Sequence, residues 1–201
     1  MEPAALLLTP GAGADRSQPQ LVAVDEALTA LGWTVVRMDF PYRLAGRRAP
    51  DRPPVLLAAV REAAAELVER SGVPAEDELL GGDTRSLDEL GGRSMGGRIC
   101  SMAVAAGLPA AALILISYPL RPPGRPDKQA ERTAHFPGLE LPCLFVSGTR
   151  DAFGTPAELE SATSAIPGPV THVWLGGDHG LRGRDGQVGL GVARWAGSLR
   201  L

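Results

Sequence analysis

Gly92-Arg93-Ser94-Met95-Gly96 has the form G-x-S-x-G. Such a stretch makes a sharp strand-to-helix turn that lifts a serine hydroxyl clear of the end of a sheet. The turn is so tight that side chains two residues before and two after the serine would collide with it, so both positions are glycine. With 25 glycines in 201 residues, the pattern by itself is weakly specific. Its setting makes it specific. A helical pattern follows over Met95–Ala106, and an Asp and a His come later, each just past an apolar run of strand length.

Outward from this turn, short apolar runs alternate with helical patterns. Ala4–Thr9 reads as a buried strand, followed by the glycine turn Gly11-Ala12-Gly13. Pro19–Leu31 carries Leu21, Val24, Leu28 and Leu31 at helical spacing, and Gly32 stops it. Thr34–Phe40 reads as a second strand and Pro53–Arg70 as a long helix. After the turn come strands at Ala112–Ser117, Cys143–Ser147 and Val170–Leu175. Helices are expected near Pro156–Ala165 and Gln187–Leu199. Alternation of this kind implies a parallel sheet covered on both faces. Right-handed crossovers then give an α/β fold, a doubly wound three-layer sandwich. The length suits one domain over residues 1–201.

One segment breaks the pattern. The strand that feeds the turn should be buried on both faces, yet Leu87-Asp88-Glu89-Leu90-Gly91 carries two acids, which are costly there unless paired. Upstream, Asp77-Glu78-Leu79-Leu80-Gly81-Gly82 nearly repeats Asp88-Glu89-Leu90-Gly91-Gly92, as if about 11 residues (89 − 78) had been inserted. Leu87–Gly91 is taken as the copy that pairs in the sheet.

A serine hydroxyl is a poor nucleophile until a base takes its proton, and the base needs an orienting acid. Of three histidines, His179 lies in Gly176-Gly177-Asp178-His179-Gly180, just after the last strand. That is the carboxyl edge of the sheet, where open α/β sheets place their sites. His172 falls inside a strand and His135 in a Pro-rich stretch, so both read as structural or solvated. Asp151 ends another strand and is preferred as the acid. Asp178, adjacent to His179, suits shaping the turn. The candidate catalytic set is Ser94, Asp151 and His179. The amides of Met95 and Ala12 are the candidate oxyanion donors, with Gly13 in reserve.

Thr9-Pro10-Gly11-Ala12-Gly13-Ala14, Gly92-Arg93-Ser94-Met95-Gly96-Gly97-Arg98, Gly148-Thr149-Arg150-Asp151 and Gly177-Asp178-His179-Gly180 together resemble the α/β-hydrolase superfamily. More narrowly they are similar to its small, lidless, dienelactone-hydrolase-like branch, which includes relatives of a eukaryotic testis-expressed protein. The resemblance runs from residue 4 to about residue 199. It implies a minimal α/β-hydrolase fold of about six mostly parallel strands in the order 2-1-3-4-5-6. It also implies a serine esterase or thioesterase working through an acyl-enzyme. Two departures stand out. Pro10 replaces the His of a His-Gly pair found in many relatives, and the segment before the turn is irregular. Dienelactone hydrolases proper use cysteine, so Ser94 argues against that particular activity. Some eukaryotic relatives make a non-catalytic binding module the alternative.

Composition bounds the rest. A net charge of −3 gives no basic footprint for nucleic acid or a membrane surface. Met1–Leu8 has neither a cationic start nor a long apolar run, so neither a signal peptide nor a membrane span is expected, and the cytoplasm is the expected compartment. Cys100 and Cys143 read as buried free thiols, and no metal or cofactor is expected. A dinucleotide reading of Gly11-Ala12-Gly13 with Asp39 meets Arg16 where a third glycine belongs. Pro119–Leu141, where larger relatives carry a lid, is short and Pro-rich, enough for a loop and about one helical turn. The expected partner is therefore a small acyl substrate reaching an open site. Arg93, Arg98, Arg121 and Arg150 lie near that site in sequence. Arg93 and Arg121 are the candidate substrate contacts, through carboxylate recognition.

Overall fold

The computed structural model describes residues 4–71 and 87–200. The upstream copy of the repeated segment, Asp77–Gly82, lies outside the described residues. Six strands form one parallel sheet: β1 (Ala5–Thr9), β2 (Thr34–Arg37), β3 (Leu87–Arg93), β4 (Ala110–Ile116), β5 (Cys143–Gly148) and β6 (Val170–Leu175). Their spatial order is β2-β1-β3-β4-β5-β6, the order the resemblance implied. The helices are α1 (Pro19–Thr29), α2 (Pro41–Leu44), α3 (Pro53–Ser71), α4 (Met95–Ala105), α5 (Gln129–Thr133), α6 (Pro156–Thr163) and α7 (Asp185–Ser198). Among the described residues, no helix is long and apolar enough to cross a membrane.

β1, β4 and β5 are apolar at nearly every position because both faces are covered. Alternate side chains feed two separate cores. Leu7, Leu113, Leu115 and Phe145 point to one face and pack on α3 and α4 through Val60, Leu67 and Ile99. Leu6, Leu8, Ile114 and Val146 point to the other and pack on α1 and α7 through Leu21, Val24, Val188 and Val192. The result is three layers.

Two local differences from the sequence reading have simple causes. β2 ends at Arg37 rather than Phe40, because the chain leaves this edge strand for α2. Pro41 has no N–H for a ladder, and it opens α2 at its first position, where none is needed. The interval between β4 and β5 holds more structure than one turn. α5 is flanked by 3₁₀ turns at Pro126–Lys128 and Phe136–Gly138. Packing of Phe136 against Tyr118 and Phe145 pins that interval to the sheet.

β3 resolves the two acids differently. Asp88 is paired: its Oδ2 accepts from the Ala5 N–H at 2.8 Å and its Oδ1 from Arg200 Nη2 at 2.6 Å. Arg200 in turn lies over the Trp33 ring, 4.6 Å from its centroid. Glu89 is 2% exposed and its Oε2 has no hydrogen-bond partner among the described residues. Burial pushes its pKa up to about 8; the Arg200 charge opposes the rise and the Asp88 charge adds to it. Glu89 therefore sits in the sheet as the neutral acid at neutral pH and below.

At the carboxyl end of β3 the backbones are almost in contact. Thr9 of β1 stands opposite Gly92. A Cβ on Gly92 would meet the Thr9 hydroxyl, with the Gly97 nitrogen and the Thr9 carbonyl both at 2.8 Å. A Cβ on Gly96 would meet the same hydroxyl and, at 2.6 Å, the carbonyls of Thr9 and Pro10. No flexible side chain tip can yield there.

Two outcomes follow for stability. Gly92→Ala should lower the urea-unfolding free energy by about 3 kcal/mol, since the obstacles are backbone. Glu89 has a folded pKa above the 4.5 of the free acid, so the folded state binds more protons between pH 4.5 and about 8. Stability from this group therefore falls as pH rises through that window, by about a few kcal/mol in all. Glu89→Gln should remove that slope and raise the thermal midpoint above pH 8; an unchanged pH profile would refute it.

Candidate active site

Ser94 sits between β3 and α4 with φ 51° and ψ −117°, a left-handed conformation rare for a side chain that is not glycine. Its own N–H extends the sheet by donating to the Ile116 carbonyl at 2.8 Å. The turn therefore fixes the serine while leaving its hydroxyl above the sheet edge.

Ser94 Oγ lies 2.9 Å from His179 Nε2, and His179 Nδ1 lies 2.8 Å from Asp151 Oδ2. A carboxylate can only accept, so Nδ1 carries the proton that donates to Asp151. That leaves the Nε2 lone pair facing the serine hydroxyl, the arrangement needed to take its proton. Three residues remote in sequence are thus brought into one hydrogen-bonded row. Asp151 is 2% exposed, and its other oxygen accepts from the Phe153 N–H at 2.8 Å.

The histidine loop is held from several sides. Arg93 Nη2 donates to the His179 carbonyl at 2.7 Å. The Phe153 ring stacks on the imidazole with centroids 4.1 Å apart. The Arg150 N–H donates to the Gly177 carbonyl, tying the acid loop to the base loop. Asp178 turns away from the imidazole and accepts from the Gly180 N–H at 2.8 Å, so it shapes the turn.

A cavity of about 410 Å³ opens above Ser94 and His179, lined also by Ala12, Met95, Arg98, Arg132 and Phe153. Met95 is the first residue of α4, so its N–H has no acceptor within the helix. In the loop after β1, the Gly11 N–H donates to Gln18 and the Gly13 N–H to Tyr42 Oη. Among the described residues the Ala12 N–H has no such acceptor, which favours Ala12 over Gly13 as a donor to a bound group.

The other sequence candidates fall elsewhere. Arg93 lines the cavity but is mostly buried, and burial lowers its pKa against the pull of Asp151, Asp178 and Asp185. Arg121 is turned onto Glu158 at 2.5 Å and onto the Ala152 carbonyl, where it braces the capping box of α6. Arg150 is exposed. His172 is stacked between Phe145 and Trp174, and His135 lies 2.8 Å from Ser101 Oγ, with burial and Arg98 pushing its pKa down to about 4. Asp39 accepts from the Arg16 backbone and pairs with its guanidinium, so the acid of the dinucleotide reading is occupied by the residue that replaces the third glycine. Burial raises both thiols to about 12, which leaves Cys100 and Cys143 inert.

Arg132 and Phe153 were not singled out from the sequence. Phe153 follows the acid by two residues, a spacing that could have suggested it. No spacing marks Arg132, because its position depends on how the Pro-rich interval folds back.

Three solved structures share this architecture. A serine hydrolase homologue from Coxiella burnetii is 18% identical, with 95% of this chain and 84% of that one covered and a TM-score of 0.72. Dienelactone hydrolase from Anabaena variabilis is 19% identical, over 97% and 84%, with a TM-score of 0.68. The esterase domain of a Rhodothermus marinus protein is 20% identical, over 96% and 86%, also at 0.68. These likenesses are of fold. No curated protein matches the chain by sequence. The alpha/beta hydrolase domain model matches residues 2–189, nearly the whole length, and the chain accordingly belongs to the α/β-hydrolase family.

Proposed function

We propose that the protein is a serine hydrolase that cleaves small carboxylic esters or thioesters by two-step acyl transfer. The observation that carries this reading is the unbroken row from Ser94 Oγ through His179 to Asp151, at 2.9 and 2.8 Å. Ser94 attacks the carbonyl carbon while His179 Nε2 takes the hydroxyl proton. The carbonyl oxygen becomes an oxyanion and is held by the Met95 and Ala12 amides, at the positive end of α4. His179 returns the proton to the leaving group, which departs and leaves the acyl-enzyme. A water then gives its proton to His179 and attacks the acyl carbon; the bond to Ser94 Oγ breaks, His179 returns the proton to Oγ, and the acid is released. Asp151 keeps the imidazole in the working tautomer and stabilises its charged form.

The openness of the site supports small or protruding substrates. The β4–β5 interval contributes only α5 and its flanking turns above the sheet, not a cap.

A fluorophosphonate probe should label Ser94, with the adduct located by mass spectrometry, and Ser94→Ala should abolish labelling. On p-nitrophenyl esters, Ser94→Ala should reduce kcat by about 10⁴–10⁶-fold and Asp151→Asn by about 10⁴-fold. Asp178→Asn should stay within about tenfold of the parent, because its carboxylate serves only the turn. A folded protein that neither labels nor turns over esters would instead be a non-catalytic module on this fold. Loss of activity in Asp178→Asn but not Asp151→Asn would reassign the acid.

A further inference from the structure

The cavity above Ser94 gathers positive charge that the acyl-transfer steps do not use. Arg98 stands at the end of the first turn of α4, and Arg132 reaches in from α5; both line the cavity with Ser94 and His179. Arg98 has no ion pair or side-chain hydrogen bond among the described residues, and its Nε is buried without a partner. Arg132 is half-buried and gives one donor, Nη1, to the Pro119 carbonyl at 3.1 Å. It too has no carboxylate partner among the described residues.

Three of the other half-buried arginines are each neutralised by a carboxylate, and Arg93 donates to the His179 carbonyl. Arg37 is paired with Asp25, Arg43 with Asp15 and Arg121 with Glu158. The setting of the two cavity arginines is also unfavourable in three ways. Arg98 sits at a helix N-terminus, where the backbone dipole already favours an anion. Burial lowers the Arg132 pKa, and the neighbouring Arg98 charge lowers it further. Among the described residues no acid lines the cavity, and the buried Asp151 beside it faces His179.

Arg132 is nevertheless held in place. Its backbone carbonyl accepts from Tyr118 Oη at 2.7 Å. Tyr118 is itself 2% exposed and packed against Phe136 and Phe145. His135, three residues on, is anchored by Ser101 of α4, whose hydroxyl also donates to the Arg98 carbonyl. The segment that carries Arg132 and the helix that carries Arg98 are thus tied together, which brings both guanidiniums to one cavity. Two planar donors at one cavity can meet the two oxygens of a carboxylate.

We infer that Arg98 and Arg132 form a carboxylate clamp, so that the substrate of the Ser94 site is an ester or thioester bearing a free carboxylate; this substrate class rests on the hydrolase reading above. The clamp, not Arg121, then supplies the anion recognition.

The test separates binding from turnover. Glutarate is titrated into the Ser94→Ala protein by calorimetry, alone and with Arg98→Gln or Arg132→Gln added. Either glutamine should weaken glutarate binding by about tenfold or more, as expected for loss of a charged hydrogen-bonded contact, while Arg98→Lys and Arg132→Lys weaken it less. In parallel, the wild-type protein is assayed on mono-p-nitrophenyl glutarate and p-nitrophenyl valerate. The kcat/KM ratio of anionic to neutral ester should exceed about ten and fall toward one in each glutamine variant. Glutarate binding that is absent, or indifferent to both arginines, overturns the clamp, as does an anionic-to-neutral ratio at or below one. Failure to hydrolyse either ester, with arginine-dependent glutarate binding intact, overturns the hydrolase reading and leaves the clamp standing.

Discussion

The close approach of two backbones at the carboxyl end of β3 is the constraint on which the site rests. Gly92 and Gly96 lie against Thr9 and Pro10 with no space for a methyl group. Because the chains touch there, the Met95 amide and the Ala12 loop border one cavity. The same contact compresses the turn so that Ser94 takes a positive φ and its hydroxyl clears the sheet edge. Strain at one residue is offset by the packing of the two cores on either side, which hold β1, β3 and β4 in register. The loop ends that carry Asp151 and His179 are then brought to the serine by the parallel order of β3, β4, β5 and β6, which delivers every carboxyl terminus to one rim.

The two ends of β3 use ionisable groups in opposite ways. At its amino end, Asp88 is tied to the Ala5 amide and to Arg200, and Glu89 avoids an unpaired buried charge by keeping its proton. At its carboxyl end the charges are cationic. Arg93 is used for structure, bridging the strand to the carbonyl of His179. Arg98 and Arg132 line the cavity with no ion-pair partner among the described residues. A structural role accounts for a buried arginine that donates to a carbonyl. It does not account for two neighbouring guanidiniums at a helix N-terminus, and that difference separates Arg93 from the other two.

Much of this was legible before any coordinates. The apolar runs, the stop signals and the G-x-S-x-G turn place five of the strands within a few residues, because buried parallel strands must be apolar on both faces. The order Ser94, Asp151, His179 was readable because each follows a strand end. β3 was the hard case, since Asp88 and Glu89 break the apolar pattern. What rescues them, a backbone amide of β1, a C-terminal arginine and a bound proton, lies 83 and 112 residues away in sequence for the two partners of Asp88 and has no local signature. The end of β2 was misjudged for a smaller reason: Pro41 suits a helix start as well as it ends a strand.

By itself the sequence determined the layering, the glycine-flanked turn at Ser94 and the placing of Asp151 and His179 just past strand ends, since these depend on local periodicity and on glycines that nothing else can replace. Only the tertiary structure decided which cations face the cavity. Arg121 and Arg132 lie in the same interval and look equivalent in the chain. One is drawn to Glu158 of α6, and the other is turned inward because Tyr118 and Ser101 anchor the segment that carries it. The direction of a long side chain is set by partners across the fold, and those partners exist only once the sheet has brought them together.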